Sequence, residues 1–320
     1  MLDELPLAAV RTATPLALRI GIDVGGTKTH VAAVGDDGAR LDHVVPSSSW
    51  RTGALFSDSG NLARLADLIR SLVRLDERTT LAAGMHGCDT PAQVALAART
   101  LERLLAVPVR VVNDAELLGH AARVGECLQM IVGTGAVVVG RTATGATITA
   151  DGYGWLLSDF GSAPALLRES VREALVRADR DELGDDSLVS ALQSAYGVPD
   201  LTELALAVTE RAGLTEWGGH APLVFAHADR GSAVALHVIT EAARRLAGNV
   251  ASLLARGALG DCVVAAGGVI TNQPRLQHEL RLALAEVAPG VRLEVLDAPP
   301  VDGALVLAGA APDERHHPAP

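Results

Sequence analysis

Two stretches of β-branched residues broken by glycine, IGIDVGGTKTHVAAV (20–34) and MIVGTGAVVVG (130–140), constrain this chain more than any other feature. Glycine at the end of an apolar run permits a tight reversal, and β-branched residues on either side favour strands. Each stretch is therefore predicted to be a hairpin with a glycine tip. Around the first, Leu16–Val24 and Thr29–Val34 read as strands, and GDDGAR (35–40) supplies a turn into a third strand at 41–45. Apolar residues at Leu62, Leu65, Ala66, Ile69, Leu72 and Val73 have helical spacing. A strand at 79–87, a helix at 91–106, a strand at 107–115 and a helix at about 115–124 follow.

The same order of elements starts again at Leu128. A meander fills 130–152, and Ser162 is placed to cap a helix over 163–179 with Pro164 in its first turn. Short helices in 186–212 lead to a long one over 232–256. EWGGH (216–220) reads as a helix break. A strand at 261–269, a helix at 274–287, a strand at 291–296 and a helix at 302–311 close the chain. No sequence repeat is visible, only a repeat of element order. The expected fold class is α/β, with lobes at 1–115 and 116–300, the second carrying a helical insertion, and the last helix packing back on the first. Residues 1–15 read as a loose leader and APDERHHPAP (311–320) as a disordered tail.

Composition narrows the function. Of the 320 residues 49% are apolar and only 2% aromatic, and the net charge is −11 without a basic cluster. Nucleic acid and anionic membranes are poor partners for such a chain. No apolar run approaches the ~20 residues that span a bilayer, and MLDELPLAAV lacks the pattern of a signal peptide. Cys88, Cys127 and Cys262 are far apart and form no metal spacing. These features point to the cytoplasm.

Lys28, the only lysine among 27 Lys and Arg residues, stands in the first tip. This is not a P-loop, because Thr27 separates Gly26 from Lys28 and strand rather than helix follows. Gly25 and Gly26 let backbone N–H groups approach an anion, while Thr27 and Lys28 add a hydroxyl and a charge. A plain hairpin turn is the competing reading. Asp23, just before the tip, is positioned to hold a hydrated Mg²⁺ beside phosphates. Gly133, Thr134 and Gly135 form the second tip, and Gly267 and Gly268 end a third buried strand with room for a flat group such as adenine. Asp114, in RVVNDAELLG, ends a buried strand, where ligands of open α/β sheets bind; it also reads as a helix N-cap. His86 reads as a structural histidine at a strand end, with a cleft-facing position the alternative, Asn249 as a core-edge or surface group of the long helix, and Arg244 and Arg245 as a solvated face or dimer contact.

GIDVGGTKT, VNDAELL, GTGA, GYGWLLSDFGSA and AAGGV stand in the order found in the actin-like ATPase superfamily. From about Ile20 to Ala308 the chain resembles its N-acetylglucosamine kinase and BadF-type ATPase branch. The resemblance implies a duplicated RNase-H-like fold with a cleft between lobes, ATP in the cleft, and a sugar hydroxyl as phosphoryl acceptor. By the same resemblance Asp114 is the catalytic base and Asp23 the Mg²⁺-linked acid. Gly25, Gly26, Thr27, Lys28, Gly133, Thr134, Gly135, Gly267 and Gly268 bind nucleotide. Ser48, Ser49, Trp50, Asn113, Gly152, Tyr153, Gly154 and Asp159 face the substrate, with an amino sugar first and a related sugar or cyclitol next.

The chain departs from the family pattern. Gly-Thr-Gly-Ser ends here in Ala136; Gly-Gly-Trp-Gly is Asp151-Gly152-Tyr153-Gly154; Gly-Asp-Glu-Gly-Ser is Ser158-Asp159-Phe160-Gly161-Ser162; and Ser47–Ser49 fill a loop that commonly carries asparagine. Exchanging a carboxylate for Phe160 implies an altered acceptor. A non-catalytic sugar sensor is the alternative, and an ATPase activating a dehydratase a more remote one. A homodimer fits the Ala-rich helices.

Overall fold

The computed structural model describes residues 18–310, so the leader and the tail lie outside the described residues. Strands β1 (Arg19–Val24), β2 (Lys28–Val34), β3 (Arg40–Pro46), β4 (Thr80–Met85) and β5 (Val109–Val112) form one sheet, in the order β3-β2-β1-β4-β5. Strands β6 (Leu128–Val132), β7 (Ala136–Arg141), β8 (Thr147–Asp151), β9 (Cys262–Ala266) and β10 (Arg292–Val295) form the other, in the order β10-β9-β6-β7-β8. Read from the opposite edge, the second order repeats the first. In both, an antiparallel meander is extended by two parallel strands on the other side of its first strand. The repeat of element order in the sequence is thus a repeat of topology, and the fold is a duplicated RNase-H-like α/β fold.

By contact density the chain divides into a unit running up to Asn113 and resuming at Ala304, and a unit formed by Asp114–Gly303. In the first, helices α1 (Asn61–Leu72) and α2 (Pro91–Leu105) are the crossovers that parallel strands require. Thr90 caps α2 through a reciprocal box with Gln93, and Pro91 occupies a position where its missing N–H costs nothing. The core of this unit includes Ile20, Ile22, Leu65, Ile69, Leu81 and Leu101, all essentially inaccessible to solvent. Burying each contributes roughly 1.5–3 kcal/mol.

The second unit is larger because helices intervene between β8 and β9. After α3 (Leu117–Ala122) come α4 (Ala163–Asp179), α5 (Ser187–Tyr196), α6 (Leu201–Glu210), α7 (Leu214–Gly218), α8 (Ala221–Ala228) and α9 (Ala233–Ala255). Then follow α10 (Gly268–Asn272), α11 (Pro274–Val287) and α12 (Val301–Gly309). Ser162 caps α4 by accepting from Ala165 N, as its position in the sequence suggests. Val234, Val238, Ala242, Leu246, Val250 and Leu253 form the buried stripe of α9. Asp186 caps α5 and also accepts from Ser232 Oγ, the cap of α9, so one buried carboxylate starts two helices.

Two expectations are refined here. EWGGH does break the helices, at Gly219 and His220 between α7 and α8, but Trp217 still belongs to α7, and its indole is buried and donates to Val208 O. The strand expected over 261–269 ends at Ala266, and Gly268 already starts α10. The three cysteines are free and buried; burial, with Cys262 nearby, pushes the Cys127 thiol up to about 11.

Gly303, near the start of α12, lies against the Leu117 carbonyl of α3, and a Cβ there would stand 2.9 Å from Ala121 N. Gly303→Ala is therefore expected to cost about 1–3 kcal/mol, read as a lower midpoint in denaturant melts. An unchanged midpoint would show that the two helices do not approach this closely.

Candidate functional site

In the first unit, β1 and β2 meet at the exposed tip Gly26-Thr27-Lys28. Gly25 N donates to Lys28 O at 3.0 Å and closes the turn. A directed chain of hydrogen bonds holds the tip from beneath. Trp50 Nε1 can only donate, and it donates to Thr29 Oγ1 at 3.0 Å. Gly25 O can only accept, and it accepts from Ser47 Oγ at 2.9 Å. The 3.0 Å contact between Thr29 Oγ1 and Ser47 Oγ must then run from Thr29 to Ser47. All three side chains are buried. Ser47 N also donates to Thr27 O, and Arg51 donates to Gly26 O at 3.0 Å.

This geometry corrects the place of Trp50. Its ring lies in the core and its N–H is committed to the tip, so it braces the phosphate-loop candidate instead of presenting a face to a sugar. Ser48 and Ser49 remain exposed in the 3₁₀ turn Ser47–Ser49. Arg51, whose guanidinium meets the tip, has no local signature that marks it. His86, read as structural, is exposed, and its ring stands 4.0 Å from where a Cβ on Gly26 would be. Asn113 bonds Asp89 Oδ1 at 3.1 Å and Cys88 O at 3.4 Å, which ties the end of β5 to the loop after β4.

Asp23 is half-buried near the end of β1, between His30 of β2 and Gly84 of β4 in register. No group of three or more His, Cys, Asp or Glu fit to hold a metal occurs among the described residues. A single carboxylate beside a phosphate-loop candidate fits Mg²⁺, which keeps several waters and binds through one or two carboxylates plus phosphates.

The second unit gathers the other candidates. Asp114 opens a 3₁₀ turn, Asp114–Glu116, and is half-buried. It is not the N-cap of α3; that position is Glu116. Glu116 is buried and paired with Arg141 of β7, with Arg141 Nε at 3.0 Å, so the turn carrying Asp114 is anchored to the β6–β7 hairpin. At the tip of that hairpin Thr134 is exposed. Behind the tip, β6 and β9 end backbone to backbone. A Cβ on Gly267 would lie 2.5 Å from Val132 O, and one on Gly133 would lie 3.3 Å from Gly268 N. Gly267 has φ +114°, which only glycine adopts readily. These glycines have a packing reason as well as the binding role inferred for them.

The loop from Asp151 to Gly161 flanks the same tip. Asp159 is 7% exposed; its Oδ1 accepts from Gly154 N at 3.0 Å, and Ala136 N–H also bonds its carboxylate. Gly135 leaves space beside it, since a Cβ there would be 3.2 Å from Asp159 Oδ2. One carboxylate thus joins the second glycine tip to the Gly152–Gly154 segment. Tyr153 is 76% exposed. The ring of Phe160 packs under Arg245 at 4.3 Å and near Arg168 at 5.5 Å, between α4 and α9. Asn249, read from the sequence as a core-edge or surface group, reaches Asp151 Oδ2 at 3.3 Å.

Burial holds the Asp159 carboxyl above the usual aspartate range, against the pull of the Gly154 N–H; the charge of Asp151 adds to the rise. A raised folded-state value means that the native protein binds the proton more tightly than the unfolded chain. The associated stability is present below the ordinary value of 3.8 and is lost as pH rises through the raised one. Stability of the wild type relative to Asp159→Asn, which cannot titrate, is expected to fall as pH rises above 3.8. Paired thermal melts at rising pH check this, and a flat or rising difference contradicts it.

No family model matches the chain. It is 24% identical over 305 residues to the N-acetylmuramic acid/N-acetylglucosamine kinase of Clostridium acetobutylicum, covering 90% of this chain and 97% of that protein. A solved structure assigned as an N-acetylglucosamine kinase from Chromobacterium violaceum superposes with a TM-score of 0.66 at 19% identity, covering 91% and 98% of the two chains. A ROK-family glucokinase from Streptomyces griseus, solved with glucose and AMPPNP, gives 0.53 at 16% identity, covering 91% and 97%. The chain has the fold of the actin-like ATPase sugar kinases, and over nine-tenths of its length it is similar in sequence to an amino-sugar kinase.

Proposed function

We propose that this protein is an ATP-dependent kinase that phosphorylates a hydroxyl of an amino sugar, with N-acetylglucosamine or glucosamine as the first candidates. The observation that carries the reading is Asp114: a half-buried carboxylate on a turn anchored by Glu116 and Arg141 to the hairpin whose tip is Gly133-Thr134-Gly135. A base held rigidly by the same hairpin that presents phosphate-binding amides is what phosphoryl transfer requires, since that chemistry depends on positioning and charge neutralisation. The similarity to the clostridial kinase supplies the sugar class, and the glucokinase solved with an ATP analogue supports the nucleotide.

In this reading Asp114 orients the acceptor hydroxyl and takes its proton as the phosphorus–oxygen bond forms. Gly25, Gly26, Thr27, Lys28, Gly133, Thr134 and Gly135 are the phosphate-binding candidates, which offer backbone N–H groups, hydroxyls and one ammonium. Gly267 and Gly268 accommodate the adenosine. Asp23 holds the Mg²⁺, which neutralises phosphate charge. Ser48, Ser49, Asn113, Gly152, Tyr153, Gly154 and Asp159 are the acceptor-side candidates, and Trp50 drops out of that set. The enzyme works in the cytoplasm.

The departures at 151, 158 and 160 do not favour a sugar sensor. Asp151 and Ser158 are bonded to each other, and Phe160 is packed beneath an arginine, so the altered loop is a completed structure.

A coupled ADP-release assay over amino sugars, hexoses and cyclitols tests the reading, with turnover expected on at least one amino sugar. Asp114→Asn should lower kcat by roughly 10²–10⁴-fold while the fold and nucleotide affinity stay intact. Near-normal turnover in that variant would refute the assignment of the base, and silence of the wild type across the panel would refute the kinase.

A further inference from the structure

Asp151 stands where the resembling family has glycine, and so does Ser158. The structure shows why the two changes belong together. Asp151 retains a backbone suited to glycine, with φ +68°, and Gly152 follows at +82°. An aspartate tolerates that conformation better than most residues, at a cost. What offsets the cost is its carboxylate. Asp151 Oδ1 accepts from Gly152 N at 3.0 Å, from Asp159 N at 2.8 Å and from Ser158 Oγ. Asp151 Oδ2 accepts from Phe160 N at 3.2 Å and from Asn249 Nδ2 of α9 at 3.3 Å. One side chain therefore closes both ends of the loop, and a residue 98 positions away holds it in place.

We propose that Asp151, fixed by Asn249 and Ser158, is a positioning residue for the phosphoryl acceptor: it sets the backbone of Gly152–Gly154 and the carboxylate of Asp159 against the second glycine tip. The inference rests on the kinase reading and deepens it by naming what fixes the acceptor loop in this chain. Asp151 acts through the loop and is not itself assigned a contact with substrate. Arg168 of α4 completes the clamp from the other side, donating to Trp155 O and, at 3.0 Å, to Ser158 O. The loop is thus held by an acid at its ends and a base at its middle, while Tyr153 between two glycines is left projecting.

Asp151→Gly is the informative variant. Glycine relieves the left-handed backbone, so the fold is spared, and only the carboxylate bonds are lost. The KM for the best acceptor is expected to rise about tenfold or more, with the KM for ATP changed less than about twofold. Asn249→Ala should shift acceptor KM in the same direction by less. Asp151→Asn, which keeps one carbonyl acceptor, should recover part of the loss. Hydrogen exchange at the amides of Gly152, Asp159 and Phe160 supplies a readout that does not need turnover: slow in the wild type, faster in Asp151→Gly and Asn249→Ala. Unchanged exchange at those amides, or acceptor and ATP KM moving together, would overturn the proposal while leaving the kinase reading intact. If the wild type phosphorylates no sugar, that reading falls by itself, and the exchange data still decide whether Asp151 fixes the loop.

Discussion

The close backbone approach at the ends of β6 and β9 is the constraint on which the second unit's site depends. Gly267 can lie against Val132 O only because it lacks a Cβ and accepts φ +114°. That contact lets a parallel neighbour end beside the β6–β7 turn, starts α10 at Gly268, and leaves the tip Gly133–Gly135 supported from behind. In the first unit the corresponding tip is supported differently, by the chain of bonds from Trp50 through Thr29 and Ser47 to Gly25 O. The same topological problem, holding a glycine turn at the end of a strand, has been solved once with bare backbone and once with buried hydroxyls. A buried polar chain is tolerable only when each member is satisfied, and here the donor-only indole and the acceptor-only carbonyl fix its direction.

The duplicated topology was legible because it is written in local patterns. β-branched runs ending in glycine, a serine before an Ala-Pro helix start, and the apolar stripe of α9 all report on neighbours within a turn or two. The places where reading failed depend on distant partners. Trp50 reads as a sugar platform until Thr29 is seen beneath its N–H. Asn249 reads as a helix-edge polar residue until Asp151 is seen to need a donor. Phe160 reads only as a lost acceptor until two arginines are found on its ring. The segment at 216–220 reads as a break and is one, at Gly219 and His220, but the burial of Trp217 against Val208 has no local signature. Gly267 and Gly268 were found by sequence, but their packing against Val132 and Gly133 has no local signature.

The departures from the family pattern are better understood as one exchange than as scattered changes. An acid is absent at 160 and present at 151, and the serine at 158 bonds that acid. The new carboxylate is consumed by backbone N–H groups, a hydroxyl and an amide, so it does not replace the lost one as a free acceptor. Phe160 meanwhile turns its ring toward Arg245 and Arg168 and anchors the loop to the helices. Asp159 keeps its place in the pattern and is held by Gly154 and Ala136 N–H groups. A buried carboxylate with two such donors is oriented as well as stabilised. The physical consequence is a stiffer loop with one fewer uncommitted acid and an exposed phenol at Tyr153. Under the proposed function, selectivity among sugars rests on Tyr153 and the backbone of Gly152 and Gly154, because Asp151, Ser158 and Asp159 are already bonded within the loop.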